Sequence, residues 1–163
     1  MRLRFSIPTF GLAALLLYAP TSISQTKERP AAPAPSAMPK LVPVAETKLV
    51  MQGMAKPNFD GLTKTLKQKP TDAEQWGFAR GQALLVAESA NLLLIRPPKT
   101  KTGQDLWVPK VIELRDAGVK LAEAASAKDY AAARVRLADL TNACNRCHAA
   151  FQVGARMDPL PPE

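Results

Sequence analysis

Cysteine and histidine are nearly missing from this chain: two and one, in 163 residues. No further Cys or His exists to complete a four-ligand zinc site, which would have to borrow a carboxylate, a water or a second subunit. Paired carboxylates, a nucleophile beside a base and a glycine-rich phosphate loop are also absent, so the residue patterns of the common enzyme mechanisms are not there. Basic residues outnumber acidic ones, 22 to 14, for a net charge of +8. Yet there is no basic–aromatic interleaving and no nucleic-acid motif, so nucleic acid is not an expected partner. Lys64, Lys67, Lys69, Lys99 and Lys101 read as solvated helix positions that also offer a basic surface to an acidic partner or anionic lipid. No stretch alternates convincingly as a strand.

What cysteine and histidine there is falls in one pentapeptide, Cys144-Asn145-Arg146-Cys147-His148. This is the spacing of c-type haem attachment. Two thiols add across the two vinyl groups of haem, and the adjacent imidazole supplies the proximal iron ligand. On a helix, positions 144, 147 and 148 stand at i, i+3 and i+4, so all three side chains leave one face. Other uses of the pentapeptide meet obstacles. A redox C-x-x-C belongs at the start of a helix after a strand, whereas this one lies near the end of a long alanine-rich helical stretch. A disulfide across three helical residues is strained. The expected cofactor is one covalently attached haem c per chain.

The N-terminus reads as an export signal, residues 1–24. Arg2 and Arg4 precede an apolar stretch, and Ser22-Ile23-Ser24 offers small residues for cleavage. Its core, Phe10 to Ala19, is far short of the ~20 residues that span a bilayer. The expected location is the periplasm, where covalent haem attachment takes place in bacteria. Residues 25–43, with Pro30, Pro33, Pro35, Pro39 and Pro43 among alanines, form an extended linker.

The rest, residues 44–153, reads as one all-α domain, followed by an irregular tail at 154–163. A first helical region, Val44 to Leu66, places Val44, Met51, Ala55, Leu62 and Leu66 near one stripe, with Pro57-Asn58 as a break. A second helix starts at a capping box of Thr71 and Glu74. Its seam is Trp76, Ala79, Ala83, Val86, Ala90 and Leu93, and Arg96-Pro97-Pro98 stops it. A loop from Lys99 to Gln104 leads to a third helix capped by Asp105, or irregular until Val108, and running to about Ser126. Asp129 caps a fourth, on which Tyr130, Ala133, Leu137, Leu140, Cys144, Cys147 and Phe151 share a stripe ended by Gly154. Short connections predict an antiparallel four-helix bundle with haem attached near the C-terminal end of the last helix.

A single C-x-x-C-H at the end of the last of four helices resembles the cytochrome c′ family, the class II c-type cytochromes. The resemblance covers about Val44 to Val153. It implies thioethers at Cys144 and Cys147 and His148 as proximal ligand, and Phe151 matches the aromatic residue usual three positions on. Gln152 departs from the basic residue that commonly follows. Class I cytochromes c fit poorly, because only fifteen residues follow His148. Met157 would have to wrap the haem edge without supporting structure.

The resemblance also implies that a second axial ligand, where there is one, is a methionine on the first helix. Met51 fits the apolar stripe better than Met54; without either, the sixth position is open. A His–Met site carries electrons, and an open one takes small gases. The expected function is one-electron transfer with a redox partner protein, the alternative being a five-coordinate module that binds NO or CO for sensing or detoxification. With its one histidine on iron, the chain lacks a distal imidazole for peroxidase-like chemistry, so it is not expected to be an enzyme. Family members often form a homodimer through their first helices. Arg134 and Arg136 are candidate partners for haem propionates, and Trp76 and Trp107 for packing near the haem.

Overall fold

The computed structural model describes residues 40–160; residues 1–24, read above as an export signal, most of the expected linker and residues 161–163 lie outside them. All regular structure among the described residues is helical. α1 is continuous through three stretches: α-helical Thr47–Val50, π-helical Met51–Ala55 and α-helical Lys56–Thr65. α2 spans Ala73–Leu94, α3 Lys101–Ser126 and α4 Tyr130–Ala150. α1 packs on α2, α2 on α3 and α3 on α4. No helix among the described residues is long and apolar enough to cross a membrane.

Proline does not break α1. Pro57 sits in the first turn after the π-helical stretch, and the backbone stays right-handed from Val50 to Lys56. A wider turn just ahead of the ring relieves its clash with the preceding carbonyl. Asn58 Nδ2 donates to Met54 O at 2.7 Å, which satisfies a carbonyl in the widened turn. The stripe starts later than its sequence pattern implies. Val44 precedes the helix and is 98% exposed, while Val50, Phe59, Leu62 and Leu66 are buried.

The α2 seam is as expected: Trp76, Ala79, Ala83, Val86, Ala90 and Leu93 are all buried. Its cap is one residue later than Thr71. Asp72 accepts from Gln75 N at 2.8 Å, and Gln75 Oε1 accepts from Thr71 N at 3.2 Å. α3 likewise begins ahead of Asp105, because Thr100 Oγ1 accepts from Gly103 N at 3.2 Å. Pro109 then lies inside the helix on its exposed side, so the Asp105 carbonyl it leaves unpaired stays in water. The alanines of α2 let α3 come close. At Gly118 an added Cβ would meet Ala83 O at 3.0 Å and Ala87 Cβ at 3.1 Å.

Leu62, Leu66, Leu93, Leu121, Leu137 and Leu140 have no more than 1% exposure and come from all four helices. Each contributes ~1.5–3 kcal/mol over its exposed state. Cross-helix hydrogen bonds fix the ends. Trp107 Nε1 donates to Leu93 O at 2.8 Å, and Tyr130 Oη donates to Leu66 O at 3.3 Å.

Candidate haem-attachment site

Asp129 Oδ1 accepts from Ala132 N at 3.0 Å and starts α4, as its sequence position implies. The helix carries Cys144, Cys147 and His148 in its last two turns without interruption. All three are half-buried. Cys144 packs against the apolar core, whose border also includes Met51, Phe151, Met157 and Leu160. The Phe151 ring meets Trp107 edge-to-face, centroids 5.1 Å apart at 76°.

Both thiols are free and held protonated. Burial, and then the charge of a neighbouring Cys147 thiolate, push Cys144 up to about 12. Cys147 is raised chiefly by burial, with Glu113 adding and Lys110 opposing. These are not the depressed thiols of a redox C-x-x-C. Among the described residues no group of three His, Cys, Asp or Glu side chains converges to hold a metal ion. The donor set instead offers two thiols and one imidazole on a single face.

Arg146, between the cysteines, reaches Glu113 of α3, with Nη2 at 2.5 Å and Nε at 2.8 Å from Oε1. Lys110 Nζ holds the other oxygen at 3.2 Å. Burial alone would raise Glu113, but hydrogen bonds from Arg146 and Lys110 outweigh it and hold the carboxyl below its usual range. This brace was not identified from the sequence, since Glu113 and Arg146 are 33 positions apart.

The helix ends at Ala150 and reverses at Gln152, whose φ is 55, rather than at Gly154. Val153 N donates to His148 O at 2.8 Å and Gln152 N to Ala149 O at 3.2 Å, the paired bonds of a Schellman cap. A left-handed residue is required at the position after the cap, and Gln152 occupies it. The tail is irregular but anchored: Asn145 bonds the backbone of Met157, and His148 bonds that of Ala155.

Met51 and Met54 both lie in the π-helical stretch and are half-buried. Met51 packs against the core cluster that Cys144 also borders. Arg134 and Arg136 are engaged away from the motif. Arg134 Nη1 donates to Leu66 O at 3.3 Å, and Arg136 pairs with Asp139 at 3.0 Å. Ten residues of helix separate Arg134 from Cys144, ~15 Å along the axis. Trp76 and Trp107 are buried core residues.

Comparison of this chain with protein-family models, with curated proteins and with solved structures gives no match.

Proposed function

We propose that this chain is an exported c-type cytochrome of the cytochrome c′ kind, carrying one covalent haem c and transferring one electron at a time. The observation that carries this reading is the common helix face of Cys144, Cys147 and His148 at the border of the apolar core. An apolar planar group stitched to that face would have its edge against protein rather than water. Haem bound there supplies an iron that cycles between ferric and ferrous.

The chain's own residues do the rest. Cys144 and Cys147 would hold the haem through one thioether each, the sulfur and the proton of each thiol both being retained in the product, so no oxidant or leaving group would be needed. His148 would hold the iron through Nε2, since Nδ1 is engaged by Ala155 O at 2.8 Å. Met51 is the proposed second ligand, supported by its packing against the core, and Met54 has no such support.

The proposed architecture is an antiparallel four-helix bundle. Three pairings support it: Leu93 late in α2 with Trp107 early in α3, Glu113 with Arg146 late in α4, and Leu66 after α1 with Tyr130 at the start of α4. We assign no catalytic step. The proposed compartment is the periplasm and the proposed partner a redox protein.

The test is an absorption spectrum of the chain matured with a haem-attachment system, taken oxidised, reduced, and reduced with carbon monoxide. Electron transfer predicts a low-spin spectrum in both oxidation states that resists carbon monoxide. A high-spin spectrum with rapid carbon monoxide binding would move the assignment to a gas-binding module.

A further inference from the structure

The reversal at Gln152 sends residues 154–160 back along the last turns of α4. The segment has no helix or strand of its own, yet motif side chains hold its backbone at two points. Asn145 spends both ends of its amide on one residue: Nδ2 donates to Met157 O at 2.9 Å, and Met157 N donates to Oδ1 at 2.9 Å. One turn on, His148 Nδ1 lies 2.8 Å from Ala155 O. A carbonyl only accepts, so Nδ1 carries the proton and Nε2 of the neutral ring keeps its lone pair. Met157 and Leu160 then pack against the apolar core. An asparagine side-chain amide sets an N–H donor beside a C=O acceptor, which matches the pair that a residue's backbone presents. Aspartate would only accept, and alanine would do neither.

We propose that residues 154–160 are a strap that positions the His148 ring. Asn145 fixes Met157, Met157 fixes the run of backbone before it, and the Ala155 carbonyl sets the tautomer and orientation that present Nε2. The role toward iron rests on the haem reading above; the strap itself does not. Asn145 and Met157 are positioning residues that act through Ala155. An acceptor on Nδ1–H makes the imidazole a stronger donor, which favours the ferric state. On this placement the Met157 side chain is committed to core packing.

The chain has one histidine, so uniform 15N labelling gives a single imidazole ring to observe beside the backbone amides. The sample is the full haem-loaded chain, reduced to its low-spin ferrous form, with carbon monoxide added where the sixth position is open. The Nδ1 proton and the Met157 amide should both exchange slowly with water. In Asn145→Ala each should exchange about tenfold faster, and the midpoint potential should rise. Asn145→Asp, which keeps only the acceptor, should fall between. A chain ending at Val153 removes the strap without touching the helix and should reproduce the loss at Nδ1.

Helical dichroism and the amount of covalent haem should stay unchanged in the Asn145 variants. Equal exchange in wild type and Asn145→Ala overturns the strap. Faster exchange with an unchanged potential overturns the positioning role. If no haem attaches, the same exchange measurements on the haem-free chain separate the two failures. Slow exchange that Asn145→Ala abolishes supports the strap while the haem reading falls; exchange that is fast in wild type overturns the strap as well.

Discussion

Arg146 holds Glu113 across two helices at 2.5 Å, so the turn that separates the two motif cysteines is tied to the middle of α3. The carboxylate also receives Lys110 at 3.2 Å. Its pKa lies below the usual 4.5: burial opposes, and the Arg146 and Lys110 hydrogen bonds prevail. A depressed carboxyl pKa stabilises the folded chain above the unfolded value, and that contribution is lost as pH falls through the folded value. Denaturant midpoints of wild type and Glu113→Gln should therefore differ at pH 7 and converge below about pH 4.5. Parallel curves across that range would show that the brace does not couple to stability.

Cys144, pushed up to about 12 mainly by burial, should be almost inert to iodoacetamide at pH 8 in the folded, haem-free chain. Cys147 is less extreme and should react faster. Both should react quickly in denaturant. Fast alkylation of Cys144 in the folded state would favour the redox-thiol reading over haem attachment.

Gln152 is a non-glycine residue at φ 55, as is Lys128 at the end of α3. Gln152→Gly should stabilise the chain by about 0.5–1 kcal/mol, because glycine adopts that region without Cβ strain. Gly154→Ala, with nothing within 4 Å of the added Cβ, should be near neutral. Thermal unfolding of both variants checks this; a larger effect at 154 would place the reversal wrongly.

Met51 should govern the sixth iron position. Met51→Ala should turn a low-spin spectrum into a high-spin one and open the iron to carbon monoxide, whereas Met54→Ala should leave the spin state unchanged. A wild-type protein that is already high-spin, or a change seen only in Met54→Ala, contradicts the assignment.

The seam of α2 could be read from sequence because Trp76 to Leu93 repeat in one register and every seam residue faces a neighbour. The caps were harder. Thr71 and Asp72 are adjacent, so the same box can be framed twice, and only geometry selects Asp72 with Gln75. Pro57 looks like a break because the proline rule assumes an α-turn; a π-turn ahead of it lets the helix continue. Glycine preference pointed to Gly154, but the cap placed its left-handed residue two positions earlier, at Gln152. The motif residues 144, 147 and 148 were legible because their spacing is local. The Arg146–Glu113 brace and the Asn145–Met157 pairing join residues far apart in sequence and leave no periodic trace.

The central claim is that haem is bound through carbon–sulfur bonds at Cys144 and Cys147. The most direct measurement is the intact mass of the purified chain, matured with a haem-attachment system, before and after acid-acetone extraction. The account predicts one haem per chain that survives extraction in wild type and is lost in the Cys144→Ala, Cys147→Ala double variant. Haem that extracts from wild type, or a mature chain that never acquires it, would contradict the account.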